Sequence, residues 1–181
     1  MELVEVKNTE FEWSRLERLY TEAFPKEERF PFSLLKKRAL SGKADFWNLV
    51  ENGGWVGMAY LVRHEDLVYL FYFAVDAEKR GCGHGTAAIK AMLERYRGKR
   101  LFLALENWLE DCENPEERIK RHDFYLNCGL SDIPYKLWEL SMKYRLMGVG
   151  GKVEPVEYKA MMGQYFGWFW KHFIRSCIVK E

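Results

Sequence analysis

The residues best placed to do chemistry form one short run, Arg80-Gly81-Cys82-Gly83-His84-Gly85-Thr86. An apolar segment, 67–75, enters it, and a stretch with helical spacing leaves it. Three alternate glycines allow tight turning and let a ligand approach the backbone. The first N–H groups of the following helix lack intrahelical partners and point back into the loop, where they favour phosphate oxygens. Lys79 and Arg80 add positive charge, and Thr86 adds a hydroxyl. A mononucleotide P-loop needs a Lys-Ser/Thr pair after its last glycine. Here Thr86 and Ala87 follow Gly85, which excludes that reading. A dinucleotide fingerprint needs G-x-G-x-x-G after the first strand of a parallel unit, and the G-C-G-H-G spacing differs from it.

The flanking elements must hold this loop. Residues 2–7 alternate as an edge strand. Thr9 caps a helix over 11–24, on which Phe11, Leu16, Leu19, Tyr20 and Phe24 recur near helical spacing until Pro25 stops it. Pro31 starts a second helix that runs to Leu40 and ends at Gly42. The period then changes. Strands over 45–51 and 54–63 are joined by an Asn52-Gly53 turn, a hairpin signal. His64-Glu65-Asp66 turns the chain into 67–75, which is apolar on both faces and reads as a central strand. A helix from His84 to Tyr96, a strand over 101–105 and a helix from Pro115 to Asn127 follow. Weaker strands are expected over 135–140 and 142–149, and a last helix over 155–163, with continuation to 173 left open. The succession implies an α/β (mixed α+β) fold, with a mostly antiparallel mixed sheet, one parallel crossover and helices on its faces. Residues 1–150 read as the main domain, and 151–181 as a C-terminal extension packed on it.

With both nucleotide motifs excluded and an antiparallel meander ahead of the loop, the pyrophosphate of coenzyme A remains as its ligand. The segment Arg80-Gly81-Cys82-Gly83-His84-Gly85 resembles the R/Q-x-x-G-x-G/A motif of the GCN5-related N-acetyltransferase (GNAT) family. The element order from Met1 to about Val149 is similar to the whole family domain. The run Phe124-Tyr125-Leu126-Asn127-Cys128-Gly129-Leu130 resembles the family's Tyr-containing helix end. The resemblance implies that Arg80 and the amides of Gly81, Cys82, Gly83, His84, Gly85 and Thr86 hold the pyrophosphate of acetyl-CoA. It implies that the strand before the loop splays from its parallel neighbour, so that backbone groups of Phe73 and Val75 pair with the pantetheine arm. A backbone N–H near Val75 would meet the oxyanion of the tetrahedral intermediate.

Acetyl transfer to an amine requires a deprotonated amine, a polarised thioester carbonyl and a proton for the departing thiolate. By the same resemblance Tyr125 is the general acid. A phenol, with its ordinary pKa of about 10, carries its proton at neutral pH; the plain alternative is an aromatic core residue. Glu106 ends the apolar strand Leu101–Leu105, at the edge where open sheets bind ligands, and is the candidate general base or water-orienting group. A cap or salt bridge is its alternative role. Glu27 and Glu28 between the first helices, and His122 on the helix of Tyr125, are further base candidates. One departure from the family stands out: Arg118, Lys120 and Arg121 occupy a stretch where small or amide residues are common. Lys120 reads as solvated, while Arg118 and Arg121 are open between coenzyme phosphate and solvent.

The remaining residues set bounds. Lys and Arg number 28 against 27 Asp and Glu, a net charge of +1 with no concentrated basic stripe, which argues against nucleic acid. No run approaches the roughly 20 apolar residues of a membrane span, and no signal-peptide pattern opens the chain. The four cysteines, Cys82, Cys112, Cys128 and Cys177, and the four histidines show no metal-ligand spacing, and a cytoplasmic address is expected. Aromatic residues Tyr165, Phe166, Trp168, Phe169, Trp170 and Phe173 crowd the tail. They imply packing on the same chain, with a homodimer interface or a pocket wall as alternatives. Glu22, Glu27 and Glu28 suit a cationic acceptor, and a small-molecule amine is expected. A non-catalytic acyl-CoA sensor, or an acyltransferase using another acyl-CoA or acceptor, is the competing reading.

Overall fold

Thr9 opens the first helix as expected, its hydroxyl accepting the Glu12 N–H at 3.3 Å while the Glu12 carboxylate accepts the Lys7 N–H at 2.6 Å. The computed structural model describes residues 1–109, 114–139 and 142–167, and the backbone of 177–180. Its strands are β1 (Glu2–Glu5), β2 (Ala44–Glu51), β3 (Gly54–His64), β4 (Leu67–Val75), β5 (Arg100–Glu106), β6 (Ser131–Glu139), β7 (Met142–Val149) and β8 (Cys177–Lys180). The helices are α1 (Glu10–Ala23), α2 (Phe32–Leu40), α3 (His84–Arg95), α4 (Pro115–Asn127) and α5 (Pro155–Phe166). The strands follow the order β1-β2-β3-β4-β5-β7-β6-β8. Residues divide into two units, Met1–Arg63 with Leu70–Arg97, and His64–Tyr69 with the chain from Gly98 onward.

The first unit buries an aromatic cluster. Trp13 of α1 meets Phe32 and Phe46 edge-on, and Tyr20 meets Tyr72 at a centroid distance of 4.8 Å. The buried stripe of α1 is Trp13, Leu16, Leu19 and Tyr20. Phe11 is not part of it. It is 74% exposed, because it lies five residues from Leu16 and so falls off the buried face. Asn52 and Gly53 both take positive φ in the turn between β2 and β3, which satisfies the hairpin expectation.

In the second unit β4 pairs in parallel with β5 over three residue pairs, Leu67↔Arg100, Val68↔Leu101 and Tyr69↔Phe102. β5 pairs antiparallel with β7, and β7 with β6. β6 begins at Ser131, earlier than the expected 135: its burial alternates unbroken through Ile133, Tyr135, Leu137 and Glu139, and a register shift between Ile133 and Lys136 accommodates Pro134, a residue that reads as a strand breaker. β8, which has no counterpart among the expected elements, pairs antiparallel with β6. α5 buries Tyr158, Met161, Met162, Tyr165 and Phe166. Side chains of this kind contribute roughly 1.5–3 kcal/mol each when buried, so α5 is part of its unit's core. Trp168, Phe169, Trp170, His172 and Phe173 lie outside the described residues, and with them most of the aromatic tail.

Arg100 fastens α5 to the strand starts. Its guanidinium donates to both carboxylate oxygens of Asp66, at 2.6 and 2.7 Å, and to both of Glu157, at 2.9 and 2.7 Å. Glu157 in turn accepts the Glu154 N–H and closes a capping box at the start of α5.

Candidate active site

The glycine loop belongs to the first unit. After β4, the Asp76 carboxylate accepts the Glu78 N–H at 3.0 Å and caps a short 3-10 turn, Ala77–Lys79. Arg80 Nε donates back to the Val75 carbonyl at 3.2 Å. Gly81 and Gly83 follow with φ of 79° and 78°. A Cβ at either position would meet nothing within 4 Å, so glycine is required there for its left-handed backbone and not for space. Gly83 is the N-cap of α3, no side chain caps that helix, and its first turn holds no acidic residue. The first helical bond runs from Ala87 N–H to the Gly83 carbonyl at 3.0 Å. The amides of His84, Gly85 and Thr86 therefore face the loop at the positive end of the helix dipole, which suits an anion.

The other end of α3 is held firmly. Ala88, Ile89 and Met92 are buried, and just beyond the helix the Tyr96 hydroxyl donates to Asp45 Oδ2 at 2.6 Å and accepts from Trp47 Nε1 at 3.0 Å. Asp45 also pairs with Arg63 Nε at 2.7 Å. Burial, reinforced by Asp45, raises the Tyr96 phenol well above its ordinary range. This β2–α3 tie aims the loop end of the helix. Between α1 and α2, Glu27 is exposed, and the Glu28 carbonyl accepts the Tyr72 hydroxyl at 2.8 Å.

In the second unit Glu106 stands at the end of β5, as expected. Its carboxylate is engaged by two guanidiniums: Arg118 Nη2 lies 3.0 Å from Oε1 and Arg121 Nη1 lies 2.9 Å from Oε2. Arg118 also donates to the Asn107 carbonyl at 3.1 Å. The two arginines left open by the sequence thus serve Glu106. His122 stacks on Trp108 with ring centroids 3.8 Å apart, and its Nε2 lies 3.0 Å from Asp132 Oδ1.

Tyr125 sits one turn after His122 and is 7% exposed. Its carbonyl accepts the Leu130 N–H at 3.1 Å as Gly129, with φ of 93°, closes α4. Tyr20, Tyr60, Tyr69, Tyr72, Tyr96, Tyr135 and Tyr158 each donate their hydroxyl to an acceptor within 3.3 Å. The Tyr125 hydroxyl has no such partner among the described residues. Burial raises its pKa well above the ordinary value, and neighbouring Arg121 offsets this in part, so the phenol holds its proton through neutral pH.

Sequence reasoning did not find the buried Glu139. Its carboxylate accepts from Tyr158 at 2.6 Å and Tyr69 at 3.3 Å, and burial pushes its pKa up to about 7. The alternation of β6 places it on the inward face, but its tyrosine partners lie 19 and 70 residues away.

The model of the acetyltransferase (GNAT) family matches residues 13–130, more than half of the sequence. The chain belongs to the GNAT family. No curated protein matches it by sequence. Among solved structures it is similar to an acetyltransferase described as of the GNAT family from Bacteroides thetaiotaomicron, with TM-score 0.73 and 16% identity over 93% of this chain and 98% of that one. An aminoglycoside 6'-N-acetyltransferase complexed with coenzyme A gives TM-score 0.64 and 12% identity, covering 85% of this chain and 100% of that one. The ribosomal-protein-S18-alanine N-acetyltransferase of Escherichia coli gives TM-score 0.60 and 16% identity, covering 84% and 95%. At these identities the likeness establishes a shared GNAT fold. Among the described residues no helix is long and apolar enough to cross a membrane, and no group of three or more His, Cys, Asp or Glu could hold a metal ion.

Proposed function

We propose that this GNAT-family protein transfers the acetyl group of acetyl-CoA to a primary amine of a small-molecule acceptor, by direct attack with both substrates bound. The observation that carries the reading is the loop: two left-handed glycines deliver the chain to an uncapped helix whose first turn holds no acidic residue. The amides of Gly81, Cys82, Gly83, His84, Gly85 and Thr86, with Arg80, are assigned to the pyrophosphate. Backbone groups of Phe73 and Val75 are assigned to the pantetheine arm, and the Val75 N–H to the developing oxyanion.

In the reaction the amine nitrogen attacks the thioester carbonyl carbon, the C–S bond breaks and the thiolate leaves. Tyr125 is assigned to give that thiolate its proton, a role that fits a protonated phenol with an uncommitted hydroxyl. The proton lost by the ammonium passes to water. Glu106, tied to two guanidiniums, is assigned to orienting that water. Proteins sharing this fold include one described as acting on an aminoglycoside and one on a ribosomal-protein alanine, so the fold does not choose the acceptor. The acidic residues Glu22, Glu27 and Glu28 around the α1–α2 connection support a cationic amine.

A thiol-release assay with acetyl-CoA against small amines, run beside calorimetry with acetyl-CoA alone, tests the proposal. Micromolar binding with turnover on one amine is expected. Absence of coenzyme binding would remove the pyrophosphate reading; binding without turnover on any amine would favour a sensor.

A further inference from the structure

The ion cluster at the end of β5 holds more positive charge than its own pairing cancels. Glu106 supplies one carboxylate, and Arg118 and Arg121 supply two guanidiniums. Arg118 is fixed twice, by Glu106 at 3.0 Å and by the Asn107 carbonyl at 3.1 Å, and its side chain is 16% exposed. Arg121 makes a single hydrogen bond among the described residues, from Nη1 to Glu106 Oε2 at 2.9 Å, and its side chain is 46% exposed. The surplus charge therefore rests mainly on Arg121.

Helix geometry relates that charge to Tyr125. With about 100° of rotation per residue, Arg118, Arg121 and Tyr125 fall within a sector of α4 about 60° wide. Glu106 grips the first two, so this sector faces the end of β5. A long helical side chain leans back over the turn before its own Cα, so the Tyr125 ring lies over the turn that holds Arg121. The electrostatics agree: burial raises the phenol, and the charge of Arg121 offsets part of that rise.

An acid that gives up its proton keeps a negative charge, and a buried phenolate is costly without a counter-charge. As the phenol O–H bond breaks and the thiol S–H bond forms, the charge of the departing thiolate passes to the Tyr125 oxygen, until water returns a proton. A guanidinium one turn away stabilises that charge as it develops and has little to act on in the neutral phenol.

We propose that Arg121 is a positioning residue for acetyl transfer: Glu106 holds its guanidinium on the Tyr125 face of α4, where it supports the phenolate formed as Tyr125 protonates the leaving thiolate. The inference rests on the acetyl-CoA reading above, and Glu106, Arg118, Arg121 and Tyr125 all lie in the second unit.

The test is a double-mutant cycle of Arg121→Gln and Tyr125→Phe, read as kcat from thiol release beside calorimetry with acetyl-CoA. Arg121 is half exposed and shared with Glu106, so its field is screened. Arg121→Gln should lower kcat about tenfold, less than loss of the acid itself, with acetyl-CoA affinity within about threefold of wild type. Arg121→Lys keeps the charge and can keep the single bond to Glu106, so it should hold kcat within about threefold of wild type. In the Tyr125→Phe background no phenolate forms, and Arg121→Gln should change kcat by less than about twofold. An arginine with a purely structural role would lower the rate in both backgrounds. Equal losses in the two backgrounds, an unchanged kcat in Arg121→Gln, or no rescue by lysine would each overturn the role of Arg121. Unchanged kcat in Tyr125→Phe, or a wild type that does not bind acetyl-CoA, would instead overturn the parent reading. Should Arg121→Gln not fold, Arg121→Met, which keeps the apolar stem of the side chain, decides by the same criteria.

Discussion

Replacing Tyr125 with phenylalanine separates a chemical role from a structural one. The ring is buried, so phenylalanine keeps the packing, and the hydroxyl has no partner among the described residues to lose. The stability change should therefore stay within about 0.5 kcal/mol, the range of substitutions that disturb no special feature. Tyr158→Phe supplies the control. It deletes a 2.6 Å hydrogen bond to buried Glu139, and leaving that acceptor short should cost about 1–3 kcal/mol. On activity the order should reverse. Loss of a general acid lowers rate by about 10²- to 10⁴-fold, or about 3–5 kcal/mol of barrier. Thermal unfolding, calorimetry with acetyl-CoA and kcat from thiol release would read the three quantities. Tyr125→Phe should keep its melting temperature and coenzyme affinity while kcat falls at least a hundredfold. Because burial raises the phenol pKa, wild-type kcat should show no loss from Tyr125 ionisation below pH of about 10, its ordinary value. An unchanged kcat, or a stability loss above about 1 kcal/mol, would refute the reasoning.

Gly83→Ala places a side chain at a φ of 78° in open space, so it should cost about 1–2 kcal/mol in stability through backbone strain alone. Gly83→Asp adds a carboxylate beside the α3 amides and should weaken CoA binding at least tenfold beyond the alanine variant, read by calorimetry. Glu139, whose pKa rises to about 7 in the folded state from an ordinary 4.5, holds its proton more tightly folded than unfolded. Stability should consequently fall as pH rises from about 4.5 to 7, by roughly 3 kcal/mol in all, and level off above. Glu139→Gln should flatten that window in denaturant titrations, and an unchanged pH slope would exclude Glu139 as its source. Glu106→Gln removes the charge shared by Arg118 and Arg121; kcat should drop while the acidic limb of the pH–rate profile stays in place. Loss of that limb would instead make Glu106 the base.

Residues whose roles depend on near neighbours in the chain are legible in the sequence alone. The glycine loop, the Thr9 cap, the Asn52-Gly53 turn and the Gly129 stop depend on backbone preferences expressed within a few residues. The periodicities of α1 to α5 and β2 to β5 likewise follow from which face each segment buries. β6 starts earlier than predicted because Pro134, which reads as a strand breaker, is accommodated by a register shift in its pairing with β7 while the alternation of burial continues through it. Phe11 leaves its expected place on the buried stripe for a related reason: a face is defined by what packs on it, and α2 and β2 present their aromatics to Trp13.

By itself, then, the sequence determined the glycine loop and the order of elements around it, because glycine conformation and hydrophobic period are local properties. Tertiary structure alone decided how the titratable and backbone groups are deployed. It set Arg118 and Arg121 on Glu106, left the Tyr125 hydroxyl without a partner among the described residues, and buried Glu139 between Tyr69 and Tyr158. Each of these depends on atoms distant in the chain, and hydrogen bonds, burial and close approach act through space rather than along sequence.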